Sequence, residues 1–207
     1  MKAYGPDKIH NVGVFGHQGS GKTTLVEALL YTAKATTRLG RVEDGTTTSD
    51  FDPDEQKRRM SVNLAVAPLE WKDNKITLID VPGFADYASE IAAAMRVIDG
   101  AVIVMDAAAG VEVGTELVWQ TARKAGVPCL IFVNKIDRDN ADFDRVVAQA
   151  QELLDSAVIP MQIPVGTQRN FKGIVSLRKE RAWMHGEKHD GTFAEEPVPA
   201  ELADTVE

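Results

Sequence analysis

A single cysteine, Cys129, is all the thiol the sequence carries, so no intrachain disulfide can form and a reducing compartment suits the chain. Its setting inside the apolar run "CLIFV" reads as a small buried residue. Long apolar runs are lacking too. The richest, "IDGAVIVMDAAAG", is broken by Asp99 and Asp106, which leaves it too short and too charged to cross a bilayer. The first residues, "MKAYGPDKIHN", hold no apolar core of a secretion signal. Secretion and membrane spanning are disfavoured, and a cytoplasmic chain without a membrane partner is expected. Positive charge is scarce: 23 Lys and Arg stand against 31 Asp and Glu, a net charge of -8. Such a chain has no general electrostatic grip on free DNA or an anionic membrane, and an RNA partner would have to meet a local patch. Internal repeats and low-complexity tracts are also missing. What is present, 207 residues with 44% hydrophobic and 26% charged content, describes a globular domain plus an appendage.

The apolar segment "NVGVF" runs into a glycine cluster, Gly16 to Gly21, and then into a helical pattern, "TTLVEALLYTAKA", with Leu25, Ala28, Leu29 and Ala33 expected on its buried face. From Thr36 to Arg59 the chain is polar and without period, long for a loop in a compact domain and therefore expected to be functional or mobile. "VNLAVAPLEW" and "KITLID" read as an antiparallel hairpin turning at Asp73 and Asn74. Helix and strand patterns then alternate: "YASEIAAAMRV", "GAVIVMD", "GTELVWQTARKA", "PCLIFVN", "FDRVVAQAQELL". That alternation predicts an α/β fold, a mostly parallel sheet covered by helices on both faces. From Val158 the texture changes to short strand-like pieces, "VIPMQIPVG", "FKGIVSL" and "RAWMHG", which read as a second, β-rich unit. The expected division is 1–157 and 158–207.

Three motifs carry chemistry. "GHQGSGKT" fits GxxxxGK[ST] through Gly16, Gly21, Lys22 and Thr23, with a strand before it and a helix after it. Its glycines let backbone N–H groups turn inward around phosphates, Lys22 can reach the β and γ oxygens, and the Thr23 hydroxyl can bind Mg²⁺. His17, Gln18, Gly19, Ser20 and Thr24 complete the phosphate-binding stretch, although His17 and Gln18 are unspecified by the motif and read as loop-surface residues. Asp80 ends an apolar strand and is followed by Pro82 and Gly83, which suits a carboxylate holding Mg²⁺ through water and a glycine N–H facing the γ-phosphate. "NKID" closes the strand "CLIFV", where an open parallel sheet places its ligands. The Asp137 carboxylate can accept from N1–H and the N2 amino group of guanine, Asn134 can brace loop and base, and the Lys135 stem can lie on the ring.

With these motifs in this order the chain resembles the translational GTPases, and among them elongation factor G. The resemblance rests also on "SDFDPDEQKRRMSV", on "VIDGAVIVMDAAAGVE", and on "FKGIVSL" with "RAWMH", where elongation factor G begins a subdomain inserted in its GTPase core. It implies a P-loop fold, GTP or GDP with Mg²⁺ as the bound species, switches at Arg41–Ser61 and Asp80–Glu90, the ribosome as partner, and a monomer.

Four departures from the family pattern stand out. "RMSV" replaces the usual "GITI", so Ser61 in place of threonine would be the switch ligand to Mg²⁺, and Arg59 stands where glycine precedes it. Gly19 stands where elongation factors carry aspartate. Phe84 occupies the position after "DxPG" where the family has a histidine that positions the attacking water, and phenylalanine neither donates nor accepts a hydrogen bond. The resemblance therefore implies a GTPase with Lys22, Ser61 and Gly83 around the reacting phosphate, slow if nothing replaces the histidine, or a GTP-dependent binding switch with negligible hydrolysis.

The family's guanine-pocket Ser-Ala segment has no counterpart in the expected place. Ser156-Ala157 precedes a strand rather than following one and reads as a plain connection, so the chain looks like the amino-terminal piece of a longer factor. "KRR", Lys57 to Arg59, reads as a solvated charge run; His185 and His189 read as a polar turn without a ligand set; Trp71 and Trp183 read as packing at strand edges.

Overall fold

The computed structural model describes residues 2–49, 52, 55, 57, 61–83, 88–186 and 192–206. Chain contacts divide it into two compact units, residues 1–105 with 112–134, and residues 106–111 with 135–207. This division leaves the last helix of the alternating pattern with the β-rich segment, whereas the sequence texture changes only at 157/158.

The first unit is built on a five-stranded sheet ordered β2-β3-β1-β4-β5. Its strands are β1 (Ile9–Gly16), β2 (Ala65–Trp71), β3 (Asn74–Asp80), β4 (Gly100–Asp106) and β5 (Cys129–Asn134), and its helices are α1 (Lys22–Thr32), α2 (Ala88–Ala94) and α3 (Val113–Ala125). β1 runs parallel to β3 and to β4, while β2 pairs antiparallel with β3. The register sets Val14 beside Asp80 and Gly16 beside Val104, so the phosphate-type loop and Asp80 leave the sheet at the carboxyl ends of its parallel strands. Neighbouring residues of β1 point to opposite faces and both are buried. Val14 packs with Val26 and Leu30 of α1, and Phe15 lines a recess with Ile91 of α2 and Leu117 and Val118 of α3. Helices therefore cover both faces, as the alternation predicts.

Three local expectations need correction. The hairpin turns at Lys72 and Asp73, whose φ angles of 46° and 63° are the pair a two-residue turn of this hand requires. Asn74 instead opens β3 opposite Trp71, its amide donating to the Lys72 carbonyl at 2.9 Å. On α1 the buried stripe is Thr23, Val26, Glu27 and Leu30; of the four residues expected there, Leu25 and Ala33 are partly buried against the core, while Leu29 is 38% exposed. The stripe is rotated because two polar residues in it, Thr23 and Glu27, are buried for hydrogen bonding rather than for packing. In β5, at the sheet edge, Leu130 is 53% and Phe132 37% exposed, so this run is not covered on both faces. Cys129 is half-buried, and burial pushes its thiol pKa up.

The second unit contains α4 (Phe143–Leu153) and an antiparallel sheet of β6 (Gln162–Val165), β7 (Gly173–Ser176), β8 (Arg181–His185) and β9 (Phe193–Glu196), followed by the short α5 (Ala203–Val206). The Asp142 carboxylate caps α4 by accepting from the Arg145 N–H at 2.9 Å. Ile163, Val165, Val175 and Ala182 form the core, with Phe143 of α4 and Val206 of α5 packed against it. Ser156 and Ala157 lie in an exposed turn between α4 and β6. Rather than belonging to a polar turn, His185 closes β8, its ring 5.4 Å from that of Phe171. Trp71 ends β2 and Trp183 lies within β8. Among the described residues no helix is long and apolar enough to cross a membrane.

Candidate nucleotide-binding site

β1 ends at Gly16 and α1 begins at Lys22, so the intervening loop turns its backbone toward the start of an 11-residue helix. Gly21 makes that entry possible. Its φ of 100° and ψ of 25° are left-handed values that a side chain disfavours. The loop closes on one acceptor, the carbonyl of His17, which receives the Ser20 N–H at 3.2 Å and the Lys22 ammonium at 2.9 Å. Lys22 is buried, its charge held within the loop where phosphate oxygens would bind.

His17 is more than a surface residue. Its imidazole Nε2 stands 3.3 Å from Glu112 Oε1, and Glu112 caps α3 in a reciprocal box with Thr115. A residue the motif leaves unspecified thus braces the loop against a second helix. Gln18 and Gly19 are exposed, as is Thr24, whereas Ser20 is buried.

Thr23 forms the junction of the site. Its hydroxyl donates to Asp80 Oδ2 at 2.8 Å and lies 3.0 Å from the Ser61 hydroxyl. Strand register carries Asp80 there, and the Val81 N–H continues the pairing by donating to the Val14 carbonyl. Two hydroxyls and one carboxylate at hydrogen-bonding separations are hard oxygen donors, a set that fits Mg²⁺ with water completing its shell. Gly83 passes so close to the loop that a β-carbon would collide with Lys22 Nζ, Gln18 N and Gly16 O. Phe84 and Arg59 lie outside the described residues, as do Arg58 of the basic run and His189.

In the first unit, the Asn134 amide donates to the Ser20 carbonyl at 2.9 Å and ties the end of β5 to the loop. In the second, Lys135 adopts a left-handed φ of 61° and its ammonium pairs with Asp106 Oδ2 at 2.8 Å. Burial alone would raise the Asp106 pKa; the Lys135 hydrogen bond and the backbone N–H groups of Ala108 and Ala109 outweigh it and hold the carboxyl below its ordinary value. Asp137 is exposed.

Sequence reading missed Glu112 and gave Asp106 only as a break in an apolar run. It also missed Glu27 and Glu55, two carboxylates each 1% exposed. Glu27 accepts from the Gly40 and Thr48 N–H groups, and Glu55 from those of Asp52, Val62 and Asn63. Only the Thr23-to-Glu27 spacing of one helical turn hinted that the Glu27 side chain follows the site's face.

Residues 7–196 match the family described as elongation factor Tu GTP binding domain. The chain is 43% identical over 194 residues to elongation factor G 2 of Streptomyces coelicolor, covering 94% of the chain and 28% of that protein. It is 40% identical over 200 residues to elongation factor G of Granulibacter bethesdensis, covering 96% of the chain and 29% of that protein. A crystal structure of a protein from Thermus thermophilus superimposes with a TM-score of 0.89 at 36% identity, covering 97% of this chain and 30% of that one. The chain thus spans less than a third of the length of these relatives. With the loop, Asp80 and Asn134 arranged as the P-loop fold requires, the chain belongs to the translational GTPases, in the family of the elongation factor Tu GTP binding domain.

Proposed function

We propose that the chain is the GTP-binding, GTP-hydrolysing domain of an elongation factor G-like translation factor acting on the ribosome. The observation that carries this reading is the convergence of Ser61 and Asp80 on Thr23, at 3.0 and 2.8 Å, at the start of the helix that begins with Lys22. Lys22 and the backbone N–H groups from Gly16 to Gly21, with Thr24, hold the phosphates; Gly83 N–H faces the γ-phosphate. Thr23, Ser61 and, through water, Asp80 would hold Mg²⁺, which when bound would neutralise phosphate charge. Water attacks the γ-phosphorus in line, the bond to the β,γ-bridging oxygen breaks, and GDP and phosphate leave. Asp137 reads guanine, Asn134 braces its loop, and the Asp106 pair fixes the direction of the Lys135 stem.

Residues 1–157 would form the GTP-binding core and 158–207 part of a β-rich inserted subdomain. The protein would work as a monomer in the cytoplasm, where ribosomes are.

A second reading, a GTP-dependent binding switch with negligible hydrolysis, is favoured by the surroundings of Gly83. Phe84 follows it in the sequence, and among the described residues the recess beside Gly83 is lined by apolar side chains, Phe15, Ile91, Leu117 and Val118; the polar side chain against Gly83 is Lys22, a cation suited to phosphate rather than to accepting a proton from water. Titration with GTP, GDP and ATP with and without Mg²⁺, then single-turnover GTP hydrolysis with and without ribosomes, tests both. Equal affinity for ATP and GTP overturns both readings, and Mg²⁺-dependent GTP binding without turnover on ribosomes selects the switch.

A further inference from the structure

Glu55 is a fully buried carboxylate in a segment of polar and charged residues, and nothing in the motifs asks for it. Removing such a charge from water is unfavourable unless it gains strong hydrogen bonds. Among the described residues it gains three, from the backbone: Oε2 accepts the Asp52 N–H at 3.2 Å, and Oε1 accepts those of Val62 and Asn63, each at 2.8 Å. The Val62 N–H belongs to the peptide unit whose carbonyl is Ser61's own. Holding that peptide plane, and the next through Asn63, holds the Ser61 α-carbon, which is an atom of the first plane, and leaves its side chain to swing about the Cα–C bond. The Ser61 hydroxyl, carried on that anchored α-carbon, stands 3.0 Å from Thr23 Oγ1. Glu27 makes an informative contrast. It is as deeply buried, and it too accepts backbone N–H groups, but those are Gly40 and Thr48, earlier in the same long loop.

We infer that Glu55 is a positioning residue for the nucleotide site: through the Val62 and Asn63 N–H groups it sets where the Ser61 hydroxyl stands relative to Thr23, while Glu27 only anchors the loop. This deepens the proposed Mg²⁺–GTP reading and rests on it. A carboxylate is suited to the task because charge-assisted bonds to backbone N–H groups are short and about twice as strong as neutral ones, and because it orients peptide planes without taking the place of the hydroxyl itself.

The test is a double-mutant cycle between Glu55→Gln and Ser61→Ala, read as the free Mg²⁺ that gives half-maximal binding of the β,γ-imido analogue of GTP, and of GDP. Glu55→Gln keeps the shape but loses the charge and turns one acceptor into a donor. It is expected to raise the Mg²⁺ requirement for the GTP analogue by about 10-fold, the lower end for a group supporting a metal ligand, with the GDP requirement changed less than about two-fold. Because Glu55 acts through Ser61, adding Glu55→Gln to Ser61→Ala should produce no further rise, whereas Glu27→Gln and Ser61→Ala should combine additively. Should Glu55→Gln fail to fold, judged by circular dichroism and GDP binding, the same cycle with Glu55→Asp replaces it, since the charge stays and only its reach shortens. Additive effects of Glu55 and Ser61 variants, or equal shifts for GDP and the GTP analogue, overturn the inference and leave the nucleotide reading standing. A parent protein whose GTP-analogue binding ignores Mg²⁺ overturns both.

Discussion

The Lys22 ammonium donates to the His17 carbonyl at 2.9 Å, across the mouth of the loop to which both residues belong. The cation is thus held with few alternative rotamers where a β or γ oxygen can take over from the carbonyl as acceptor. Lys22→Ala should lower GTP affinity by at least about 100-fold, the equivalent of one or two charge-assisted hydrogen bonds. Titration calorimetry checks this, and matching affinities in variant and parent would remove the loop from nucleotide binding.

Base choice should follow Asp137. Asp137→Asn replaces an acceptor by a donor, which suits the oxygen that xanthine carries in place of the guanine amino group. The expected result is a loss in GTP affinity of roughly 10² to 10⁴-fold, from two hydrogen bonds to a charged group, with a gain for XTP. Competition binding that returns an unchanged preference would refute the assignment.

The Asp106–Lys135 pair predicts an acid-sensitive contribution to stability. Burial opposes ionisation of Asp106, and the bonds from Lys135 and the Ala108 and Ala109 N–H groups prevail, so its folded pKa lies below the ordinary 3.8. A depressed carboxylate contributes stability that is present above its unfolded pKa and is lost as pH falls through the folded one. Urea unfolding at pH about 7 should therefore show Asp106→Asn less stable than the parent, with the gap closing below about pH 4. A gap that stays constant with pH would mean that the ion pair contributes nothing beyond its packing.

What could be read from the sequence follows from how local each cause is. The order of β1, the loop and α1 was legible because one short motif imposes strand, turn and helix together, and β4 from Gly100 to Asp106 because an apolar run between turn residues has few other uses. The buried face of α1 was misread for an instructive reason. Thr23 and Glu27 are polar, and hydrophobic periodicity cannot reveal that a hydroxyl is buried against Asp80 or a carboxylate against loop N–H groups. The turn at Lys72 and Asp73 was displaced by one residue because Asn74 is the better turn former by composition, while the pairing of Trp71 with Asn74 across the ladder decides the register. Glu112 and Glu55 were hidden for a similar cause: their partners, His17 and the Val62 and Asn63 backbone, are fixed by the tertiary fold or by a loop conformation no motif specifies.

In the proposed reading, Phe84, which lies outside the described residues, is the residue that would decide between hydrolysis and switching. Water positioning and transition-state electrostatics carry most of phosphoryl transfer to water, and a phenyl ring supplies neither. If the parent is slow for that reason, Phe84→His should raise ribosome-stimulated single-turnover hydrolysis by roughly 10 to 10³-fold, below or within the range of a positioned catalytic side chain. GTP affinity should barely change, since the imidazole would act on the transition state rather than on the bound substrate. A gain at the low end would implicate Gly19 or Arg59, because residues that act as a unit do not contribute additively. Rapid turnover by the parent, with the histidine variant no faster, would show that another group holds the water. GTP binding by both proteins with hydrolysis by neither would make the chain a switch that signals by occupancy alone.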